Sequence, residues 1–450
     1  MRLSTQNITE GVIWKQLLSY FFPILLGTFF QQLYNTVDTI VVGRYVGTHA
    51  LAAVGAASPL ISLVTGFFVG LSSGATVLVA QRFGADDRRG VSQALHSGIA
   101  LAILLGVLVT VLGIVGSPAI LGWMNTPAES VADATRYAWI YFCGSVSSMV
   151  YNMGAGILRA MGDSRRPTVF LMITCVLNIL GDLFFVLVLG MEIDGVALAT
   201  ALSQTISAVL VLLTLAKLPE DMVFRPRQLK LNSKLLGTIL AIGIPAGLQM
   251  TSFDLAGTLI QTGVNSFGET TVAAWVAFYK TDFLSFMVAG AFGVSITTFV
   301  GQNFGAGRID RVKRSVWVCI GISMVIQAII SALELGFRFA LVGIYTTDPQ
   351  VIRLAARLMM ITVPFNFIYM PHEVFAGAMR GTGHAVLPTV VMLLFICLYR
   401  VVWVMSVVKC YHYIEVLALC YPISWILTDI ALYIAYLRGN WLKKHKTAEL

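Results

Sequence analysis

Stretches of roughly 20 or more mostly apolar residues recur along the chain, separated by short polar segments rich in Gly, Asp and Arg. Twelve can be marked, at about 14–42, 51–80, 91–116, 130–157, 167–189, 195–217, 234–264, 270–301, 311–336, 350–379, 386–408 and 414–438, the tenth being the least continuous. Each is long enough as a helix to cross about 30 Å of hydrocarbon. The pattern predicts an all-α polytopic membrane protein with twelve transmembrane helices. Residues 218–233, with two prolines, a basic excess and no helical periodicity, form the one long polar stretch between spans and read as a linker. Six spans lie on either side.

The two sets of six spans repeat each other. Val79-Ala-Gln-Arg-Phe-Gly-Ala85 returns as Val300-Gly-Gln-Asn-Phe-Gly-Ala306, 221 residues later. Ile157-Leu-Arg-Ala-Met-Gly162 returns as Ala378-Met-Arg-Gly-Thr-Gly383, Pro167 as Pro388, and Gly122 and Thr126 as Gly343 and Thr347, all at that offset. A constant offset across separate matches implies duplication of one six-span unit. The chain therefore divides into an N-terminal six-helix bundle over 1–217, a linker over 218–233, and a C-terminal six-helix bundle with a short basic tail over 234–450. An even number of spans per half sets both halves in the same sense across the membrane. Such duplicated bundles are a common build of alternating-access transporters. The repeated Gln-x-Phe-Gly-Ala and Arg-containing segments fall at span ends and read as helix stops and turns. Glycines within spans, such as Gly66, Gly70, Gly74, Gly154 and Gly156, read as points of close helix approach.

Composition agrees with the pattern. Hydrophobic residues make up 57% and charged residues 12% of the chain, against about 25% charged in an average soluble domain. The mean hydropathy is +0.83. The net charge of +8 is unevenly placed: with the N-terminus inside, 22 of the 30 Lys and Arg fall on the inner side, including Arg82, Arg88, Arg89, Arg159, Arg165, Arg166, Lys443, Lys444 and Lys446. Positive charge marks the cytoplasmic face, so both termini are expected there, in a multi-pass protein of the plasma (inner) membrane. The basic charge is a topology signal, and nucleic acid is not an expected partner. The six cysteines show no CxxC spacing and read as small apolar fillers. The first apolar run is too long for the core of a cleaved signal peptide. No Gly-x-x-x-x-Gly-Lys-Ser/Thr loop is present, so ATP-driven transport has no support and an ion gradient is the expected energy source.

Carboxylates at membrane depth are costly and point to function. The first span carries Gln31, Asn35 and Asp38 at i, i+4 and i+7, on one helical face. The fifth carries Asn178 and Asp182 at i, i+4, and the sixth Thr200, Ser203 and Gln204. Carboxylate, amide and hydroxyl oxygens suit a hard cation such as sodium, and a buried carboxylate serves a proton equally well. The alternative is that Asp38 and Asp182 only hydrogen-bond neighbouring helices. Pro23, about four turns before Asp38, permits a static kink or a hinge. In the second half the equivalent positions hold Tyr399 and Trp403 in place of Asn178 and Asp182. That half carries Asp254, Lys280, Asp282, Glu373 and Arg400 instead, read either as ion pairs such as Lys280 with Asp254, Asp282 or Glu373, or as a second substrate or proton site. His372 and His384 lack metal-ligand company and read as loop or helix-end residues.

With the twelve-span duplication, Gln-x-Phe-Gly-Ala in both halves, Pro23, Asn35-Thr-Val-Asp38, Asn178-x-x-x-Asp182 and the Arg159 and Arg380 loops, the chain resembles the multidrug and toxic compound extrusion transporters over residues 10–440. The resemblance implies two six-helix bundles around a central cavity and a cation-coupled antiporter, exporting lipophilic organic cations in exchange for sodium or protons. In one subgroup the cation site lies in the N-terminal bundle, at positions matching Asp38, Asn178, Asp182 and Thr200. Another subgroup uses acids in spans seven and ten, where Phe253 and Tyr369 stand here, with Asp254 and Glu373 nearby. The substrate cavity is expected to use Gln31, Tyr34, Asn35, Asp254, Tyr279, Asp282 and Glu373, with Pro23 as hinge. Beyond the coupling ion no cofactor is expected. The expected partners are small organic cations and membrane lipids, and the protein is expected to be a monomer.

Three other readings compete. A lipid-linked oligosaccharide flippase should line its cavity with several basic residues for pyrophosphate, yet only Lys280 and Arg400 lie within spans, both in one half. An intramembrane enzyme with an Asp38–Asp182 dyad would not explain two bundles. A channel would need a filter-like backbone segment, and none is visible. The protein is expected not to be an enzyme.

Overall fold

The computed structural model describes residues 8–124 and 126–443. Lys444 and Lys446 of the basic tail, and the polar start before Ile8, lie outside the described residues. Every regular element among the described residues is a helix: α1 Ile13–Val41, α2 Thr48–Gly84, α3 Arg88–Trp123, α4 Ala128–Cys143, α5 Ser145–Ala160, α6 Arg165–Leu183, α7 Ile193–Leu215, α8 Ser233–Asn265, α9 Glu269–Gly305, α10 Ile309–Gly336, α11 Arg338–Gly343, α12 Pro349–Thr362, α13 Tyr369–Gly381, α14 Val386–Met392, α15 Tyr399–Cys410 and α16 Ile414–Leu437, with short 3₁₀ and π turns between some of them. The chain is a multi-pass membrane protein. Eleven helical segments of 23 to 37 residues are long and apolar enough to cross a bilayer. The fourth span of the sequence is made by α4 and α5, 16 residues each, which meet at Gly144. Its repeat partner, the tenth, is interrupted by the 3₁₀ turn Val363–Ile368, which contains the position 221 residues beyond Gly144. A broken helix is tolerated at membrane depth where protein surrounds it.

The duplication reaches the backbone. Left-handed φ angles occur at Gly47 (123°) and Gly268 (89°), at Asp86 (55°) and Gly307 (72°), and at Gly162 (100°) and Gly383 (94°), each pair 221 residues apart. The Gln-x-Phe-Gly-Ala segments end α2 at Gly84 and α9 at Gly305. Their loops turn at the Asp86 and Gly307 pair. An Asp side chain tolerates this conformation better than most.

The helices form two compact units: Phe22–Gly247 with the described residues up to Glu10, and Gly11–Phe21 with Leu248 onward. In the first, α5 contacts α2, α3 and α7, while α6 packs along α7. In the second, α9 contacts α10, α12 and α13. The units depart from the division at 218–233 read from the sequence, and burial is the reason. Leu218, Met222, Phe224, Leu235 and Ile239 join the first unit's apolar core. The linker is also tied to α3, where Ser97 Oγ donates to the Lys230 carbonyl at 3.1 Å and the Arg225 amide donates to His96 Nε2 at 3.0 Å. Leu17, Tyr20 and Phe21 are buried, and Phe21 stacks on Phe292 of the second unit. Thus α1 changes unit one residue before Pro23, and α8 two residues after Pro245.

Small residues set the helix spacing in both units. A Cβ on Gly156 would collide with Thr76, and one on its repeat mate Gly377 would sit 2.7 Å from the Gly293 carbonyl oxygen and 3.1 Å from Thr297 Oγ1. Thr297 Oγ1 lies 2.7 Å from the Gly293 carbonyl and 3.0 Å from the Gly377 carbonyl, so its one proton serves either acceptor. We expect Gly377→Ala to push α9 and α13 apart and cost about 1–3 kcal/mol, read as a lower Tm of the purified protein. An unchanged Tm would mean that the α9–α13 contact has slack.

Candidate ion site and a second polar cavity

In the first unit, α1, α6 and α7 bring Asp38, Asn178, Asp182 and Thr200 together. All four are buried, with exposures of 8%, 1%, 0% and 4%. Thr200 Oγ1 lies 3.2 Å from Asp38 Oδ2 and 3.1 Å from the Val196 carbonyl, so its one proton serves either acceptor. Asn178 Nδ2 donates to Thr200 Oγ1 at 3.4 Å. The Asp38 and Asp182 carboxyls lie within hydrogen-bond reach of each other. With both ionised neither can donate, and Asp38 Oδ1, Asn178 Oδ1 and both Asp182 oxygens have no hydrogen-bond partner. No Lys, Arg or His forms an ion pair with either acid among the described residues. A π turn, Phe184–Val188, follows directly after Asp182. Turns of this kind often mark functional positions in helices.

A narrow polar pocket beside the acids is lined by Tyr34, Leu171, Thr174, Asn178, Thr200, Ser203 and Gln204. Gln204 Nε2 donates to the Tyr34 hydroxyl at 3.3 Å. Gln31 reaches the same hydroxyl. Asn35, one turn before Asp38 on α1, is exposed, and its backbone carbonyl accepts from Thr39 Oγ1 at 2.9 Å. Sequence reasoning missed Tyr137 and Tyr141 of α4, whose hydroxyls are close enough to Asp38 to feel its charge. Their i, i+4 spacing was the available signal. Pro23 stays within α1, and its carbonyl accepts from Thr168 Oγ1 of α6 at 2.6 Å.

The second unit holds a larger cavity of about 1530 Å³, including its open mouth. Phe253, Asp254, Tyr279, Lys280, Tyr369 and Arg400 are among its lining residues. Asp254 and Tyr279 line it, and Asp282 and Glu373 are not among its lining residues. Asp282 is buried in a hydrogen-bonded network that the sequence did not reveal. It accepts from Asn366 Nδ2 at 2.6 Å, which also contacts Ser285 Oγ at 3.1 Å, and Ser285 lies 3.2 Å from Glu334. Gln327 Nε2 donates to Ser285 at 2.7 Å. Glu373 lies on α13 beside Tyr369, whose hydroxyl is 3.3 Å away, and near Arg380. Lys280 forms no ion pair with Asp254, Asp282 or Glu373; its ammonium lies 5.9 Å from the Tyr345 ring centroid. His372, read as a loop or helix-end residue, is fully buried within α13 and lies 3.1 Å from Asp429 of α16. The His372 partner could not be read from the sequence because Asp429 lies on a helix 57 residues away.

Asn366→Leu should remove the hydrogen bonds that Asp282 and Ser285 receive from it. We expect a loss of about 1–3 kcal/mol, seen as a lower Tm. Equal stability would show that Asp282 does not depend on this donor.

A family model described as MatE matches residues 23–184 and again 245–405, in register with the internal repeat. The chain is 28% identical over 456 residues to the probable multidrug resistance protein YoeA of Bacillus subtilis, covering 99% of this chain and 98% of that protein. It is 31% identical over 310 residues to the probable multidrug resistance protein YpnP of the same organism, 69% of each. Among solved structures it is similar to an outward-facing multidrug resistance MATE family transporter of the MOP superfamily. The TM-score is 0.90, over 99% of this chain and 100% of that one, at 21% identity, a likeness of fold.

Proposed function

The chain belongs to the MatE family, and we propose that it exports lipophilic organic cations in exchange for sodium ions or protons by alternating access. The observation that carries this reading is the group of buried oxygens on Asp38, Asn178 and Asp182 that, among the described residues, have no hydrogen-bond partner and, for the two acids, no ion-pair partner. Two carboxylates held together in an apolar bundle repel each other, and a cation between them relieves both the repulsion and the unmet acceptors. Sodium would take oxygens from Asp38, Asn178, Asp182 and Thr200. A proton would instead bridge the two carboxyls. Aromatic hydroxyls on Tyr34, Tyr137 and Tyr141 surround the acids, an environment that attracts a soft organic cation through charge and ring face.

Relatives named as multidrug resistance proteins support small organic molecules as cargo. In this reading the protein works as a monomer in the plasma (inner) membrane, in contact with its lipids, with both termini cytoplasmic and with Pro23 as the bend in α1. The exchange follows from shared charge: an ion bound at Asp38 and Asp182 cancels the charge that holds a cationic cargo.

Asp38→Asn and Asp182→Asn should each abolish gradient-driven efflux from proteoliposomes while the proteins still purify as monodisperse species. Normal efflux by either variant would sink the site. Separately imposed sodium and proton gradients identify the coupling ion.

Asn178→Ala and Thr200→Ala each remove one neutral ligand. Each should raise the ion concentration for half-maximal efflux about fivefold, the equivalent of about 1 kcal/mol. An unchanged ion dependence would make both residues structural.

Bound cargo must lower ion affinity by the factor by which the ion lowers cargo affinity. Titrating a cationic dye at several sodium concentrations and pH values measures both. A dye affinity constant across the two series would rule out competition at these acids.

A further inference from the structure

Arg400 of α15 is a guanidinium at membrane depth, only 7% exposed. Its Nε donates to Ser424 Oγ at 2.8 Å and its Cζ lies 4.1 Å from the centroid of the Tyr421 ring, but Nη2 has no hydrogen-bond partner. No carboxylate lies within ion-pair distance of it among the described residues. A buried charge left with an unmet donor is expensive, and this one lines the large cavity of its unit.

The repeat gives its position meaning. At the offset of 221, Asn178 corresponds to Tyr399, Asp182 to Trp403, Thr200 to Tyr421 and Ser203 to Ser424. The two residues that hold the guanidinium, Tyr421 and Ser424, are therefore the repeat mates of two residues of the first unit's polar site. A π turn, Leu393–Leu398, precedes Arg400, much as one follows Asp182. Where the first unit places two acids, the second places an arginine.

We infer that the cavity of the second unit is an anion-recognition site, in which Arg400 binds the carboxylate of a flat aromatic molecule. The guanidinium edge suits a carboxylate, to which it can donate two parallel hydrogen bonds. Phe253, Trp275, Tyr279, Tyr369 and Tyr421 on the walls give the ring system faces and edges to pack against. Lys280 and Asp254 share the lining. Two cations against one acid leave a formal surplus of one positive charge, which matches a monocarboxylate and disfavours a diphosphate. Asp254 can receive an amine on the same molecule, so aromatic zwitterions fit as well. As a statement about cargo this rests on the export reading. As a statement about binding it stands apart from it.

The test is isothermal titration of the full chain in nanodiscs with 2-naphthoate and with uncharged 2-naphthamide. The wild type should bind naphthoate at least tenfold more tightly, the scale of a charge-assisted hydrogen bond. Arg400→Gln should reduce that preference below about twofold and leave naphthamide binding as it was. Arg400→Lys keeps the charge and the fold-compatible bulk but loses the fork, and should give an intermediate preference even if the glutamine variant fails to fold. Equal binding of acid and amide by the wild type, or a full preference retained in either Arg400 variant, would overturn the inference. Farnesyl diphosphate binding more tightly than naphthoate would overturn the choice of carboxylate. Asp38→Asn should keep the naphthoate preference while losing efflux; a preference lost in that variant would remove Arg400 from the role. Failure of the export reading alone would leave the Arg400-dependent preference intact with no gradient-driven efflux.

Discussion

Asp38 and Asp182 are set against each other in an apolar bundle, and among the described residues no basic side chain pairs with either. Folding brings their oxygens out of water, and the surrounding helices offer only neutral groups: the Thr200 hydroxyl, the Asn178 amide and the hydroxyls of Tyr34, Tyr137 and Tyr141. A lysine or arginine here would satisfy the acids permanently. In the proposed exchange, that role falls to an ion that binds and leaves. Small residues at Gly154 and Gly156, which lie against Val211 and Thr76, let α5 approach α7 and α2 closely in the same unit.

Duplication conserved geometry and released chemistry. The paired left-handed backbone positions, the Gly156–Thr76 and Gly377–Thr297 contacts, and the interruption of the fourth and tenth spans all recur at one offset. The side chains on this shared frame differ in sign. Positions equivalent to the acidic cluster carry aromatic groups and cradle Arg400, while the acids of the second unit lie elsewhere: Asp282 and Glu334 in a hydrogen-bonded network, Glu373 near Arg380. A helix frame fixes where side chains point but not which charge they bear, so two copies of one fold can hold opposite ligands.

The span pattern, the repeat and the face shared by Asn178 and Asp182 were legible in the sequence because each rests on local spacing or on matches at one offset; that Asp38, Asn178, Asp182 and Thr200 form one set was implied by the family resemblance. Asn178 and Asp182 share a face through i, i+4 alone, and an acid in an apolar run stands out whatever the tertiary structure. The rest depended on contacts between distant segments. Nothing near Asp282 in sequence announces Asn366 or Glu334, and nothing near His372 announces Asp429. The break at Gly144, in Cys143-Gly-Ser-Val-Ser-Ser148, was hidden because small residues also lie inside unbroken spans, as in α2.

The exchange of helix ends links the site to the rest of the chain. The segment Gly11–Phe21, which includes the start of α1, belongs to the second unit, and the helix enters the first beside Pro23 before reaching Asp38. At a proline the helix lacks one backbone hydrogen bond and carries a steric clash with the preceding turn, so it bends there at less cost than elsewhere. In α8 the same change of unit falls beside Pro245. In the proposed exchange, the ligand state of Asp38 acts on a helix whose other end is anchored in a different body. Coupling of this kind requires an element with two arrangements that both sites bias. A helix anchored at both ends, with its one missing hydrogen bond beside the crossing, is the simplest such element the fold contains.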